Sequence, residues 1–181
     1  MVLAVSTPVV ENSWLFITGF YDGSLMLRLN QDKLTVEKAW RSVGRSERDT
    51  KALHSIISTP YLAGDYVYGV DSYGELRCLD SRTGNRIWED LTATPKSRWG
   101  TIHTVRNAKR LWMFNDRGEL IIAKLSPSGF DEISRAQLIS PTRVQLSRRD
   151  GVCWAHPAYA YKHVFARNDK QLVCADLSAD E

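Results

Sequence analysis

Alternating apolar and polar positions run through short segments of this chain. Tyr66-Val67-Tyr68-Gly69-Val70 and Leu76-Arg77-Cys78-Leu79 are partly β-branched or aromatic and are bounded by Gly, Asp and Ser. Such runs predict strands. Asp71-Ser72-Tyr73-Gly74 joins them with the Asp start and Gly end of a tight turn, and Ser81-Arg82-Thr83-Gly84 makes a second hairpin connection. No segment sustains apolar residues at i, i+3, i+4 and i+7, as a helix would. Glu132 to Ile139 comes nearest and reads as a loop or an outer strand.

The same punctuation recurs. Ser-Thr-Pro opens a unit at Ser6 and again at Ser58; each continues through an alternating run, an aromatic-rich glycine turn, a second run and a closing Trp, Trp40 or Trp88. The turn glycines Gly23, Gly74 and Gly118 mark three units, and Gly74-Glu75-Leu76 returns as Gly118-Glu119-Leu120. A fourth unit lacks the turn glycine, but Gln171-Leu172-Val173-Cys174-Ala175-Asp176 follows Glu75-Leu76-Arg77-Cys78-Leu79-Asp80. A unit of about 45 residues with four antiparallel strands has the size of a propeller blade. The expected unit has an inner strand ending near the Pro, two central strands and an outer one carrying Trp. The expected fold is therefore all-β, a partial β-propeller of about four four-stranded antiparallel blades at approximately 6–43, 57–91, 100–139 and 152–181. A β-sandwich would give no reason for punctuation at this period.

Cys78-Leu79-Asp80-Ser81-Arg82-Thr83-Gly84-Asn85-Arg86-Ile87-Trp88 resembles the A-x-D-x-x-T-G-x-x-x-W docking motif of quinoprotein-type, PQQ-like propellers. Cys78 stands where that family usually has Ala; Asp80, Thr83, Gly84 and Trp88 match. The resemblance implies a Trp lying flat on the neighbouring blade, a small residue that lets sheets approach, and a Gly that turns the chain. Trp40 fills the Trp slot of the first unit, although no Thr-Gly precedes it. The third keeps Ser128-Gly129 and puts something apolar near Ile133 in the Trp slot; the fourth ends before any outer strand. The second half, with Arg98-Trp99-Gly100-Thr101-Ile102-His103, Asn115-Asp116-Arg117-Gly118, Trp154-Ala155-His156-Pro157 and Phe165-Ala166-Arg167-Asn168, resembles the C-terminal part of PQQ-like repeat proteins of bacteria such as planctomycetes. Members have seven or eight blades, so the likeness implies half of such a ring.

The composition agrees with a folded chain: of 181 residues, 43% are hydrophobic and 25% charged. Six Trp and seven Tyr form a surplus that blade packing explains in part. A net charge of +3 is too weak to point to nucleic acid, and no apolar run is long enough for a membrane span. Three cysteines without C-x-x-C do not suggest a disulfide framework. The N-terminus has no signal-peptide pattern, whereas the resembling family is mostly exported, which leaves the compartment open.

Candidate chemistry is sparse. In the repeat frame Thr7, Thr59, His103 and His156 share one slot at the inner strand. They are candidates to line the channel, either contacting a ligand or satisfying inner-strand backbone. His54 and His163 share no slot and read as surface or turn residues. Cys78 and Cys174 share another slot and read as small buried packers, not metal co-ligands. No H-x-x-x-H occurs, and no metal is expected. The resemblance raises PQQ with calcium, but there is no adjacent Cys pair, and Asp22, Asp71, Asp116 and Asp169 fall in turns. PQQ and calcium are therefore not expected in this chain alone, and no catalytic residue is assigned. Arg41 to Arg48 and Ser147-Arg148-Arg149 read as basic inter-blade loops, and Trp99, Trp112 and Trp154 as core packing. The expected function is a non-enzymatic scaffold or binding module acting through its loops and channel mouth. It resembles, in repeat type, the scaffold lipoprotein of the outer-membrane β-barrel assembly machinery. The alternatives are a remnant of a PQQ-dependent oxidoreductase and a sugar- or polymer-binding propeller. The expected partners are a protein, the missing N-terminal blades, or a second copy that closes the ring.

Overall fold

A computed structural model of the protein describes residues 5–146 and 150–178; Ser147-Arg148-Arg149 lie outside the described residues. The first sheet holds β1 (Val9–Glu11), β2 (Trp14–Gly19), β3 (Gly23–Leu29) and β4 (Val36–Ser42). The second holds β5 (Tyr61–Ala63), β6 (Tyr66–Val70), β7 (Leu76–Asp80) and β8 (Arg86–Asp90). The third holds β9 (Ile102–Asn107), β10 (Arg110–Asn115), β11 (Glu119–Ser126) and β12 (Gly129–Gln137); the fourth holds β13 (Ala158–Ala160), β14 (His163–Arg167) and β15 (Leu172–Asp176). Each sheet is an antiparallel meander in chain order, and among the described residues the fourth has three strands rather than four. This is a partial β-propeller. Among the described residues no helix is long and apolar enough to cross a membrane.

The segment around Glu132 is the outer strand β12. The inner strands begin after the prolines instead of ending at them: β1 follows Pro8, β5 follows Pro60 and β13 follows Pro157. A proline has no N–H for a ladder and suits the opening of a strand.

The core lies between blades. Phe16, Met26, Leu53, Leu62, Val67 and Leu79 pack the first blade on the second. Val70, Leu76, Ile102, Leu111, Met113 and Ile121 pack the second on the third. Phe114, Ile139, Cys153 and Ala166 make a smaller cluster between the third and fourth. Each fully buried large side chain stabilises by about 1.5–3 kcal/mol, so these seams hold the blades in place.

The docking motif works across the seams. Asp80 Oδ1 accepts the N–H of Arg82 at 3.0 Å and of Thr83 at 2.8 Å, closing the turn. Gly84 follows with φ +75°, and a Cβ there would lie 2.7 Å from the Trp40 ring. Trp40 of the first blade thus lies on the turn of the second, and its Nε1–H donates to the Ser81 carbonyl at 2.8 Å. Trp88 repeats the contact one blade on, donating to the Ser126 carbonyl at 2.8 Å. Trp40 stands opposite Met26 and Trp88 opposite Cys78 in their ladders.

Two further sequence expectations need correction. The residue in the Trp position of the third blade is Ser134, opposite Ile122, and not Ile133. Every outer strand carries a bulge at this point, and Ile133 is its extra residue. Cys174 does stand in the Cys78 position, opposite Phe165 as Cys78 is opposite Tyr68. It is exposed nonetheless, while Cys78 is buried. Among the described residues no outer strand covers β15 in the fourth sheet.

Candidate functional site

The hairpin registers bring the shared slot to one place. Glu11, Ala63, Asn107 and Ala160 are the last inner-strand residues paired before each turn. Thr7, Thr59, His103 and His156 each lie four positions earlier, where the chain enters the inner strand. They stand at the same end of every blade, the end that carries the long inter-blade loops. Neighbours in the slot touch in pairs. The Thr7 N–H donates to Thr59 Oγ1 at 3.3 Å, and the rings of His103 and His156 lie 4.7 Å apart.

Thr7, Thr59 and His156 are exposed, whereas His103 is buried. Its Nε2 lies 2.9 Å from the Trp154 carbonyl, to which it donates. Burial pushes the His103 pKa down to about 4 against the pull of that carbonyl, and the neighbouring His156 lowers it further. His103 is therefore a neutral imidazole at physiological pH, with one nitrogen committed to the backbone.

Beside the slot lies a cluster that the sequence reading took for core. Trp99 has φ 66°, in the left-handed region, where a bulky residue is strained. Its N–H donates to the Ser72 carbonyl at 2.6 Å. The Arg98 guanidinium lies 4.6 Å from the Trp99 ring centre and 5.7 Å from that of Phe20. The same guanidinium donates to Glu47 Oε2 at 2.6 Å, and Tyr73 donates to Glu47 Oε1 at 2.8 Å. Burial opposes ionisation of Glu47, but the bonds from Arg98 and Tyr73 outweigh it and hold the carboxyl below its ordinary value. Trp154 meets Trp99 edge-on at 6.3 Å. The indole N–H groups of both are buried without a hydrogen-bond partner among the described residues. The available signal was position: Trp99 and Trp154 each precede a slot histidine by a few residues.

Asp71, Asp116 and Glu119 at this end are engaged elsewhere. Asp71 accepts from Thr50 at 2.6 Å and from the His54 N–H at 2.6 Å, and lies 3.0 Å from the buried Arg77. Asp116 accepts from Thr94 at 2.7 Å, and Glu119 pairs with Arg135 at 2.8 Å. His54 is a correction: it is 2% exposed, not a surface residue. Its ring bridges two loops, with Nδ1 donating to the Phe20 carbonyl at 2.9 Å and Nε2 accepting from Gly44 N–H at 3.1 Å. His163 is half-buried on β14. Of the remaining tryptophans, Trp112 packs on Tyr159 at 5.1 Å. Among the described residues no group of three or more His, Cys, Asp or Glu side chains is placed to hold a metal ion.

A family model described as outer membrane protein assembly factor BamB matches residues 2–108, more than half of the chain. The chain belongs to this family of PQQ-like propeller repeat proteins. No curated protein sequence matches it. Among solved structures, BamB from Moraxella catarrhalis is similar to this PQQ-like chain with a TM-score of 0.56 and 16% identity, over 93% of this chain and 41% of that one. Quinohemoprotein alcohol dehydrogenase from Comamonas testosteroni follows at 0.54 and 14%, over 90% of this chain and 28% of that one. A europium-containing methanol dehydrogenase matches at 0.50 and 12%, over 91% and 36%. At these identities the likeness is one of fold, and the PQQ-like chain spans less than half the length of each neighbour.

Proposed function

We propose that this chain is a non-enzymatic propeller module that binds a protein partner through its loop end. The Arg98–Trp99 cluster carries the reading. It joins a strained indole and a cation held over aromatic faces, and through Trp154 it adjoins His103 and the exposed His156. Such a surface recognises by shape, aromatic contact and hydrogen bonding. The match to a family described as an assembly factor supports the same direction.

The fold family also includes quinone enzymes, and the residues of this chain do not fit a calcium–quinone site. Asp71, Asp116 and Glu119 are tied to Arg77, Thr50, Thr94 and Arg135, the inner-strand slot offers only hydroxyl and imidazole groups, and no group of three or more acidic, His or Cys side chains is placed to hold a metal ion among the described residues. We therefore assign no cofactor and no catalytic residue.

Photo-crosslinking from position 21 tests the proposal, because Tyr21 is exposed and meets Phe20 edge-on beside Arg98. A discrete protein adduct in cells, lost in the Arg98→Ala/Trp99→Ala variant, is the expected result. Thermal stabilisation and a new absorbance band on adding PQQ with calcium would overturn it.

A further inference from the structure

At the opposite end of the blades, where the short hairpin turns lie, a cavity of about 170 Å³ opens between the second and third blades. Tyr61 and Tyr68, stacked at 6.2 Å, form one wall, and Leu111 and Leu125 form the floor. Arg106, Lys109 and Arg110 form the rim, all from one hairpin and all exposed. Arg77, Arg82, Arg86, Arg98 and Arg135 are each bound to a carboxylate. None of the three rim cations takes part in an ion pair among the described residues. Arg106 Nε donates to the Ala108 carbonyl at 3.2 Å, which ties the guanidinium to its own turn.

We propose that this cavity binds an acidic peptide segment, one in which Asp or Glu adjoins an aliphatic or aromatic residue. The rim calls for an anion, and the tyrosine wall and leucine floor call for an apolar body attached to it. A bare inorganic anion would satisfy the rim and leave the floor wet. A neutral apolar side chain would fill the floor and leave three cations unpaired. The cavity has room for little more than one large side chain, so the carboxylate must lie on the same short stretch of chain. Planar guanidinium groups at the mouth suit a carboxylate bidentately. This site is separate from the loop end, and its test does not depend on the Arg98–Trp99 cluster.

Fluorescence anisotropy of a labelled peptide of alternating Leu and Glu, titrated with the full chain, tests the assignment. Saturable binding that weakens with added salt is expected. Removing two charge-assisted contacts in Arg106→Ala/Arg110→Ala should weaken it at least about tenfold. Arg106→Lys/Arg110→Lys keeps the charge and should restore part of the affinity, which separates loss of charge from loss of fold. Arg41→Ala/Lys51→Ala, which removes exposed cations outside this cavity, should leave binding unchanged. The assignment is overturned if a Leu–Gln peptide binds equally well, or if the Arg106→Ala/Arg110→Ala variant binds like the native chain. Inorganic sulfate displacing the label as effectively as unlabelled peptide would overturn it too, marking the rim as a simple anion site.

Discussion

His103 is where a single residue couples the loop end to stability. In the unfolded chain its imidazole titrates near 6.5, and in the folded protein near 4. Between those values the unfolded state binds more protons, so stability falls as pH drops through this window. The full shift corresponds to about 3 kcal/mol, complete only below the folded value. Above pH 6.5 both states hold the ring neutral and the penalty is absent. Urea unfolding from pH 7 to pH 4.5 should therefore show the native chain losing stability relative to His103→Gln, which retains an N–H donor for the Trp154 carbonyl but does not titrate. Parallel losses in the two proteins would show that His103 charges without cost. Gly84 matters at the same scale for a steric reason. The Trp40 ring occupies the space a side chain would need, so the docking motif requires glycine both for its φ and for the contact.

At the scale of elements, the two-residue turn between the first two strands opens in the left-handed region in all four blades, and in the fourth Lys162, at φ 61°, follows it there. The first residue of the turn has positive φ: Asn12 at 53°, Gly64 at 58°, Ala108 at 53° and Tyr161 at 50°. Gly64 and Asn12 suit that conformation and Ala108 does not. Ala108→Gly should stabilise the protein by about 1 kcal/mol, read as a higher urea midpoint with an unchanged slope. A lower midpoint would mean that glycine's entropy in the unfolded chain outweighs relief of the turn. These turns also explain what was legible in advance. Alternation, Pro and Gly mark local geometry, so the strands, the repeat period and the Thr7, Thr59, His103 and His156 register could be read from the sequence. The outer strands were harder. A bulge adds a residue that pairs with nothing, and counting without it put Ile133 where Ser134 stands. The Arg98–Trp99 cluster was legible only in the placing of Trp99 and Trp154 just before the slot histidines, because it draws Phe20, Glu47, Ser72 and Trp154 from separate blades and loops. Nothing local in a tryptophan says whether its neighbour will be a core or a cation.

Across the whole molecule, each main hydrophobic cluster belongs to a seam between blades. Stability should then behave as a chain of nearest-neighbour interfaces rather than as one core. Met113 is fully buried in the seam between the second and third blades, and Ile139 is 2% exposed in the seam between the third and fourth. Truncating either to Ala should cost about 2–5 kcal/mol locally. The two losses should nonetheless be distributed differently. Hydrogen exchange followed by mass spectrometry should show Met113→Ala lowering protection in β5–β8 and β9–β12 together. Ile139→Ala should lower it in β13–β15 while β5–β8 keep native protection. The smaller third cluster should make the fourth sheet the first to exchange in the native chain. Uniform loss of protection across all four sheets in both variants would show that the blades unfold as one unit. The Arg98–Glu47 and Trp99–Trp154 contacts would be the natural cause, since they cross more than one seam at the loop end. Adding Arg98→Ala/Trp99→Ala to either variant would then restore the seam-by-seam pattern.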